Sequence, residues 1–160
     1  MRVQDLMTWD PECCTPHHDL AHAAMIMWRR DCGIVPVVEG GTNKLIGVIT
    51  DRDICMAAAT KGRTLAAITV GDVMSQKPST CLPGDDLKTA LIKMGEAQVR
   101  RLPVADTQGN LRGIVALNDL ILHAEKTDRH GEAPVTHADV VGVLRAVCRH
   151  RAETAITTAR

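Results

Sequence analysis

The sequence contains no phenylalanine and no tyrosine, and Trp9 and Trp28 are its only large aromatic side chains. A core must therefore be filled by Val, Ile, Leu, Met and Ala. Stacking of bases on rings, the ordinary platform for single-stranded nucleic acid, has almost nothing to work with, which argues against an RNA-binding module. Excess charge of one sign is missing too: Lys and Arg number 19, and Asp and Glu number 19. No net field steers the chain toward nucleic acid or a membrane surface, so any anion it binds must meet a local set of donors. No apolar run approaches the roughly 20 residues of a spanning helix. The N-terminus has no basic region leading into an apolar stretch, and a cytoplasmic location is expected. The six cysteines (Cys13, Cys14, Cys32, Cys55, Cys81, Cys148) include no Cys-x-x-Cys. They read as reduced thiols used as small apolar residues rather than as a disulfide framework. There is no nucleophile elbow, P-loop or paired-carboxylate signature, so no enzymatic activity is expected.

What the chain does have is a copy of itself. Val3-Gln4-Asp5-Leu6-Met7 aligns with Val70-Gly71-Asp72-Val73-Met74, and the same offset pairs Pro11 with Pro78, Cys14 with Cys81 and Pro16 with Pro83. It also pairs Asp19-Leu20 with Asp86-Leu87, Ala23 with Ala90, Met27 with Met94 and Pro36-Val37 with Pro103-Val104. After a one-residue gap in a Gly/Asn-rich turn, Leu45, Gly47 and Asp53 fall on Leu111, Gly113 and Asp119. An internal repeat sets the structural unit before any single element is read.

Each copy predicts the same order of elements. A short amphipathic turn (3–8; 70–75) leads into an extended, Pro-bearing segment. A helix follows, with Leu20, Ala24 and Met27, or Leu87, Leu91 and Met94, at i, i+4, i+7 spacing. Two strands around a Gly/Asn turn come next (34–38 and 45–50; 102–105 and 111–116). A second helix closes the unit (51–59; 118–124). One copy has too few strands and too small a core to stand alone. Two copies packed sheet to sheet about a pseudo-two-fold axis would bury both apolar faces. The division expected is a first motif over 1–60, a linker over 61–69, a second motif over 70–124, and a remainder over 125–160. That remainder reads as a polar linker, a helix and a frayed tail. Thr136 and Asp139 form a capping-box pattern ahead of Val140, Val143, Leu144 and Val147, which starts the C-terminal helix.

The doubled pattern Asp-(Leu/Val)-Met, Pro-x-x-x-Leu, (Leu/Val)-Pro-Val and Gly-(Val/Ile)-x-(Thr)-x-x-Asp resembles the CBS motif, named after cystathionine β-synthase, over residues 3–54 and 70–120. The fold class implied is α/β (α+β): tandem CBS motifs, each β-α-β-β-α, plus the C-terminal helix. The resemblance implies a ligand-sensing regulatory module with clefts between the motifs. Its ligand would be an adenine nucleotide (AMP, ADP or ATP) or a related adenosyl compound, with no cofactor required. Such modules commonly dimerise. A homodimer is therefore expected, with an unknown protein reading the signal.

The run Gly47-Val48-Ile49-Thr50-Asp51-Arg52-Asp53 carries a strand into a helix N-terminus, where free N–H groups and the helix dipole favour an anion. The resemblance gives Thr50 to a phosphate and Asp53 to the ribose hydroxyls, with Arg52 beside them. Thr-x-x-Asp is equally a capping box that needs no ligand. The second copy keeps Asp119 but has Ala116 in place of the hydroxyl, so two unequal clefts are expected. Arg100 and Arg101, at a strand entrance, suit phosphate because a guanidinium donates two parallel hydrogen bonds. By family geometry one cleft would join Thr50 and Asp53 to Cys81, Leu82, Val99 and Arg101. The other would join Asp119 to Cys14, Thr15, Cys32 and Ile34.

Two other readings stand beside this one. Cys13, Cys14, His17 and His18 lie close together in sequence and offer thiolate and imidazole ligands for a metal or redox sensor. His22, on the following helix, reads as solvated. A purely structural dimerisation module is the third possibility. Ala21, Met25 and Trp28 form a second apolar face on the first helix, which fits an interface.

Overall fold

The computed structural model describes residues 1–124 and 133–149. The first copy supplies β1 (Thr8–Trp9), α1 (Leu20–Arg30), β2 (Ile34–Val38), β3 (Leu45–Thr50) and α2 (Asp51–Thr60). The second supplies β4 (Ser75–Gln76), α3 (Leu87–Ala97), β5 (Arg101–Ala105), β6 (Leu111–Ala116) and α4 (Leu117–Leu122), and α5 (His137–Val147) follows. Short 3-10 turns at Val3–Asp5 and Val70–Asp72 precede β1 and β4. The long helices begin and end alike in both copies. Asp19 and Asp86 accept the N–H groups of His22 and Thr89 at 2.8 and 2.7 Å, which satisfies first-turn donors. Asp31 and Gln98 then take left-handed backbone angles (φ 47° and 52°) that stop the helices.

The sheets show what the sequence reading missed. Their strand orders are β4-β3-β2 and β1-β6-β5, so each hairpin takes its third strand from the other copy. The registers match under the repeat: Thr8 and Trp9 face Ile114 and Gly113, while Ser75 and Gln76 face Val48 and Gly47. Further bridges come as an equivalent pair, Arg2 with Asp86 and Thr69 with Asp19. The hairpin turns also meet, with Leu45 N–H donating to Gly109 at 3.0 Å and Leu111 N–H to Asn43 at 2.8 Å. Contacts made twice in this way define the pseudo-two-fold axis.

Gly47 and Gly113 make the exchange possible. A Cβ at Gly113 would lie 2.6 Å from the Thr8 carbonyl oxygen, and one at Gly47 would lie 2.9 Å from that of Ser75. Any side chain at either glycine would push the incoming strand away.

The two copies are arranged about a pseudo-two-fold axis as expected, and the exchanged strands are a further feature of their packing. Two cores form, each under one sheet and each containing residues of both copies. Val3 and Met7 join Leu87, Leu91, Leu102 and Leu117, while Val70 joins Leu20, Ile26, Val35 and Ile49. Two-residue strands carry no periodicity, so the sequence pattern could not reveal where they pair.

α5 starts as expected. Thr136 N–H donates to Asp139 Oδ2 at 2.9 Å, and Thr136 Oγ1 accepts from Asp139 N–H at 3.2 Å. The helix packs on α3 and α4, and Val135, Val140 and Val143 enter the second core. It does not flank Trp28, which is 83% exposed. Trp28 aligns with Gly95, and it is over Gly95 that α5 lies, with Ala146 Cβ 3.5 Å from where a Cβ would stand. α4 spans Leu117–Leu122, one residue earlier at its start and two shorter at its end than expected. The frayed tail and most of the polar linker lie outside the described residues. Among the described residues no helix is long and apolar enough to cross a membrane.

All six cysteines are free thiols. Cys14 and Cys81 are 0% and 1% exposed, while Cys55 and Cys148 are on the surface. Alkylation of the native protein should therefore label Cys55 and Cys148 readily and reach Cys14 and Cys81 only after denaturation. Rapid native labelling of Cys81, read by peptide mass spectrometry, would contradict the packing described.

Candidate functional site

In each copy the entrance of the first hairpin strand lies beside the start of the following helix, because the hairpin pairs Ile34 with Thr50 and Arg101 with Ala116. Backbone bonds tie the two segments: Asp51 N–H to Gly33 at 3.3 Å and Leu117 N–H to Arg100 at 2.8 Å. The two corners face one another across the pseudo-axis and enclose a cleft of about 550 Å³, within the usual range for small-molecule sites. Cys32, Gly33 and Asp51 come from one corner, and Arg100, Arg101, Ala116 and Asn118 from the other. Met27, Trp28 and Asp31, at the end of α1, complete the lining.

Gly33 lets the corners approach. A Cβ there would stand 2.7 Å from Asp51 Oδ2 and 3.4 Å from Arg101 Nη1. The Arg101 guanidinium therefore reaches over the first copy's backbone, next to an acidic side chain of that copy. Neither Arg100 nor Arg101 takes part in an ion pair among the described residues. The cleft thus has a cationic wall, an acidic side (Asp31 and Asp51) and an apolar stretch that includes an open indole ring.

The Thr50–Asp53 pair is a closed capping box. Thr50 Oγ1 accepts from Asp53 N–H at 3.2 Å and donates to Asp53 Oδ2 at 2.7 Å, and Thr50 N–H donates to the same oxygen at 2.9 Å. The single hydroxyl proton is spent within the cap, leaving Asp53 Oδ1 without a protein donor among the described residues. In the second copy Asp119 Oδ2 still accepts from Ala116 N–H at 2.9 Å, but the hydroxyl half of the box is gone. That loss costs about 0.5–2 kcal/mol of helix stability, in keeping with α4 being shorter than α2.

Of the residues singled out in the sequence, Arg100, Arg101 and Cys32 line the cleft, and parts of both expected clefts meet in this one. Thr50, Asp53 and Asp119 stand at the same helix starts without lining it, and Arg52 is exposed. Cys14 and Cys81 form equivalent parallel bridges to Val37 and Val104 and face the cores. Burial pushes their thiols up, to about 12 and about 11, so both stay neutral at ordinary pH. Neither lines this cleft. Ile34 is buried, Val99 packs against the second core, and Thr15 and Leu82 lie outside the cleft.

Met27, Trp28, Asp31, Gly33, Asp51 and Asn118 were not anticipated as lining. One signal was legible: Gly33 aligns with Arg100, which sets a gap in one copy opposite a long cation in the other. Of the proposed metal ligands, Cys14 and His18 come together, joined by His22, while Cys13 and His17 stay outside the group.

The family model for the CBS domain matches residues 3–60 and 70–126. The CBS domain-containing protein YhcV of Bacillus subtilis (strain 168) is 37% identical over 131 residues, covering 82% of this chain and 91% of that protein. Among solved structures, Hypoxic Response Protein I with two coordinated zinc ions has a TM-score of 0.70 at 29% identity, over 78% of this chain and 100% of that one. The CBS domain pair of protein MJ0100, in complex with 5'-methylthioadenosine and S-adenosyl-L-methionine, has a TM-score of 0.65 at 25% identity, over 76% and 94% of the two chains. Both repeats match the model separately, and the chain belongs to the CBS-domain family as a tandem pair.

Proposed function

We propose that the chain is a ligand-sensing regulatory module, not an enzyme, and that its central cleft binds an adenine nucleotide (AMP, ADP or ATP) or a related adenosyl ligand. The observation that carries this is the two arginines, without an ion-pair partner among the described residues, on one wall of a cleft whose other sides are acidic and apolar. A nucleotide has matching parts. Its phosphates suit the Arg100 and Arg101 forks. Its base suits the Trp28 ring and the apolar Met27 and Ala116, and its hydroxyls and exocyclic amine suit carboxylates such as Asp31 and Asp51. Asp53, through its second oxygen, is a further ribose acceptor within the same reading. The adenosyl ligands bound by the MJ0100 pair support it. No cofactor is needed, and the reader of the signal is a separate protein. A second copy of the chain is the proposed permanent partner.

The test is calorimetric titration of AMP, ADP, ATP and S-adenosylmethionine into the wild type and the Arg101→Ala variant. Loss of a hydrogen bond to a charged group costs about 1.5–3 kcal/mol. Phosphate-bearing ligands should weaken accordingly, by roughly 10- to 150-fold. Arg101→Ala is preferred to Asp53→Ala, because the latter also opens the α2 cap. Unchanged nucleotide affinity in a folded Arg101→Ala protein would refute the site. No binding by any of the four ligands would refute the function.

A further inference from the structure

We infer that Cys14, His18 and His22 form a zinc site in the first copy, apart from the nucleotide cleft. Their ligand atoms lie within 4.8 Å of one another. None of the three lines the cleft.

The backbone fixes each ligand separately. Cys14 is held beside β2 by its N–H to Pro36 at 2.9 Å and by Val38 N–H to its carbonyl at 2.8 Å. The chain then turns through Pro16, and His18 N–H returns to the Thr15 carbonyl at 3.1 Å. Asp19 caps α1 through the His22 N–H, which puts His22 in the first helical turn, next to His18. The two imidazoles sit with centroids 4.3 Å apart and planes tilted by 45°. The thiol is buried, His18 is half-buried and His22 is exposed. A metal enters from the His22 side, and its fourth position opens toward water.

Zinc binding would release the Cys14 proton to solvent. The resulting thiolate and two imidazoles suit a borderline-soft cation, and zinc takes them tetrahedrally at about 2.3 Å (S) and 2.0–2.1 Å (N). Ligand atoms around such an ion stand roughly 3.3–3.7 Å apart. The observed atoms lie within 4.8 Å of one another, so side-chain rotation must close the remaining gap. One existing bond is exchanged: the Thr15 N–H donates to His18 Nδ1 at 3.2 Å. Coordination through Nδ1 takes that lone pair, and coordination through Nε2 places a proton on Nδ1, so the Thr15 bond is released either way.

The second copy serves as an internal control. Cys81, Asp85 and Thr89 occupy the equivalent positions. Leu82 N–H donates to Asp85 Oδ2 at 3.0 Å, the counterpart of the Thr15–His18 bond, and Lys93 neutralises that carboxylate at 2.9 Å. Lys93 aligns with the buried Ile26. Both copies thus keep the thiol in the core, and only the first sets two imidazoles against it with no cation at the aligned position.

Metal-free, untagged full-length protein should be titrated with zinc against a chromophoric chelator, and with cobalt(II) as an optical probe. The expected result is one ion per chain, a sulfur-to-cobalt charge-transfer band, and a shift of the Thr15 amide resonance. His18→Ala and His22→Ala should each lower zinc affinity by more than about tenfold, since even losing a group behind a ligand costs about 10–100-fold. Cys13→Ala, His17→Ala and Arg101→Ala should bind zinc as the wild type does, and this last variant separates the metal result from any outcome at the nucleotide cleft. Cys14→Ser should abolish the charge-transfer band. If that variant fails to fold, the exposed His22 position decides the matter. A folded wild type without the band, or zinc affinity indifferent to both histidine substitutions, would overturn the site and leave Cys14 a packing residue.

Discussion

Deleting residues 1–10 should destabilise the second copy more than the first. The segment carries β1, the edge strand of the β5–β6 sheet, together with Val3 and Met7, which are 0% and 6% exposed. Burial of each side chain is worth about 1.5–3 kcal/mol, so the deletion should remove about 3–6 kcal/mol. That is a large part of the roughly 5–15 kcal/mol that holds a typical domain folded. Hydrogen exchange should quicken in β5, β6 and α5 before β2 and β3, although the missing residues belong to the other repeat. Gly113→Val should act in the same direction without shortening the chain, because its Cβ would collide with Thr8. Equal protection of both sheets after the deletion would show that the exchanged strand is ornamental.

Sedimentation at micromolar concentration should give about twice the chain mass. Trp28 and Leu122 are 83% and 81% exposed, and Met25, Met56 and Ile92 are each more than half exposed. Exposed apolar side chains that gather into one patch mark interfaces, and Trp and Met are common interface residues. The repeat sharpens the case. Where the second copy has Gly95 covered by α5, the first has Trp28 uncovered. Trp28→Glu should shift the protein toward monomer. Because Trp28 also lines the cleft, Leu122→Glu is the cleaner companion: it should weaken assembly while leaving nucleotide affinity intact. A wild type that stays monomeric at high concentration would remove the dimer from the proposal.

Much of the fold is legible in the sequence, because the long elements carry their own periodicity. Leu20, Ala24 and Met27 gave α1, and the apolar runs at 34–38 and 45–50 gave β2 and β3. The capping box at Thr136 gave α5. The strand exchange could not be read, since Thr8–Trp9 and Ser75–Gln76 are too short for a pattern and polar enough to pass for turns. Their partners' glycines hinted at close approach without saying to what. The site was legible by halves. Arg100 and Arg101 stood out as a cationic pair at a strand entrance, whereas Trp28 read as an interface residue because one helix face gives no sign that its end borders a cleft. A helical position gives His22 no mark of a ligand in the sequence. The turn through Pro16 that folds His18 back beside it is a tertiary fact.

A cleft astride a two-fold axis would offer the same groups from either side if the copies were identical. Here Arg100 answers Gly33, Leu117 answers Asp51, and Gly95 answers Trp28. The frame is symmetric and its lining is polar, with cations contributed by one repeat and acids by the other. An elongated guest with a single anionic end can therefore lie in one direction only, and a guest identical at both ends gains nothing from the symmetry that built the cavity.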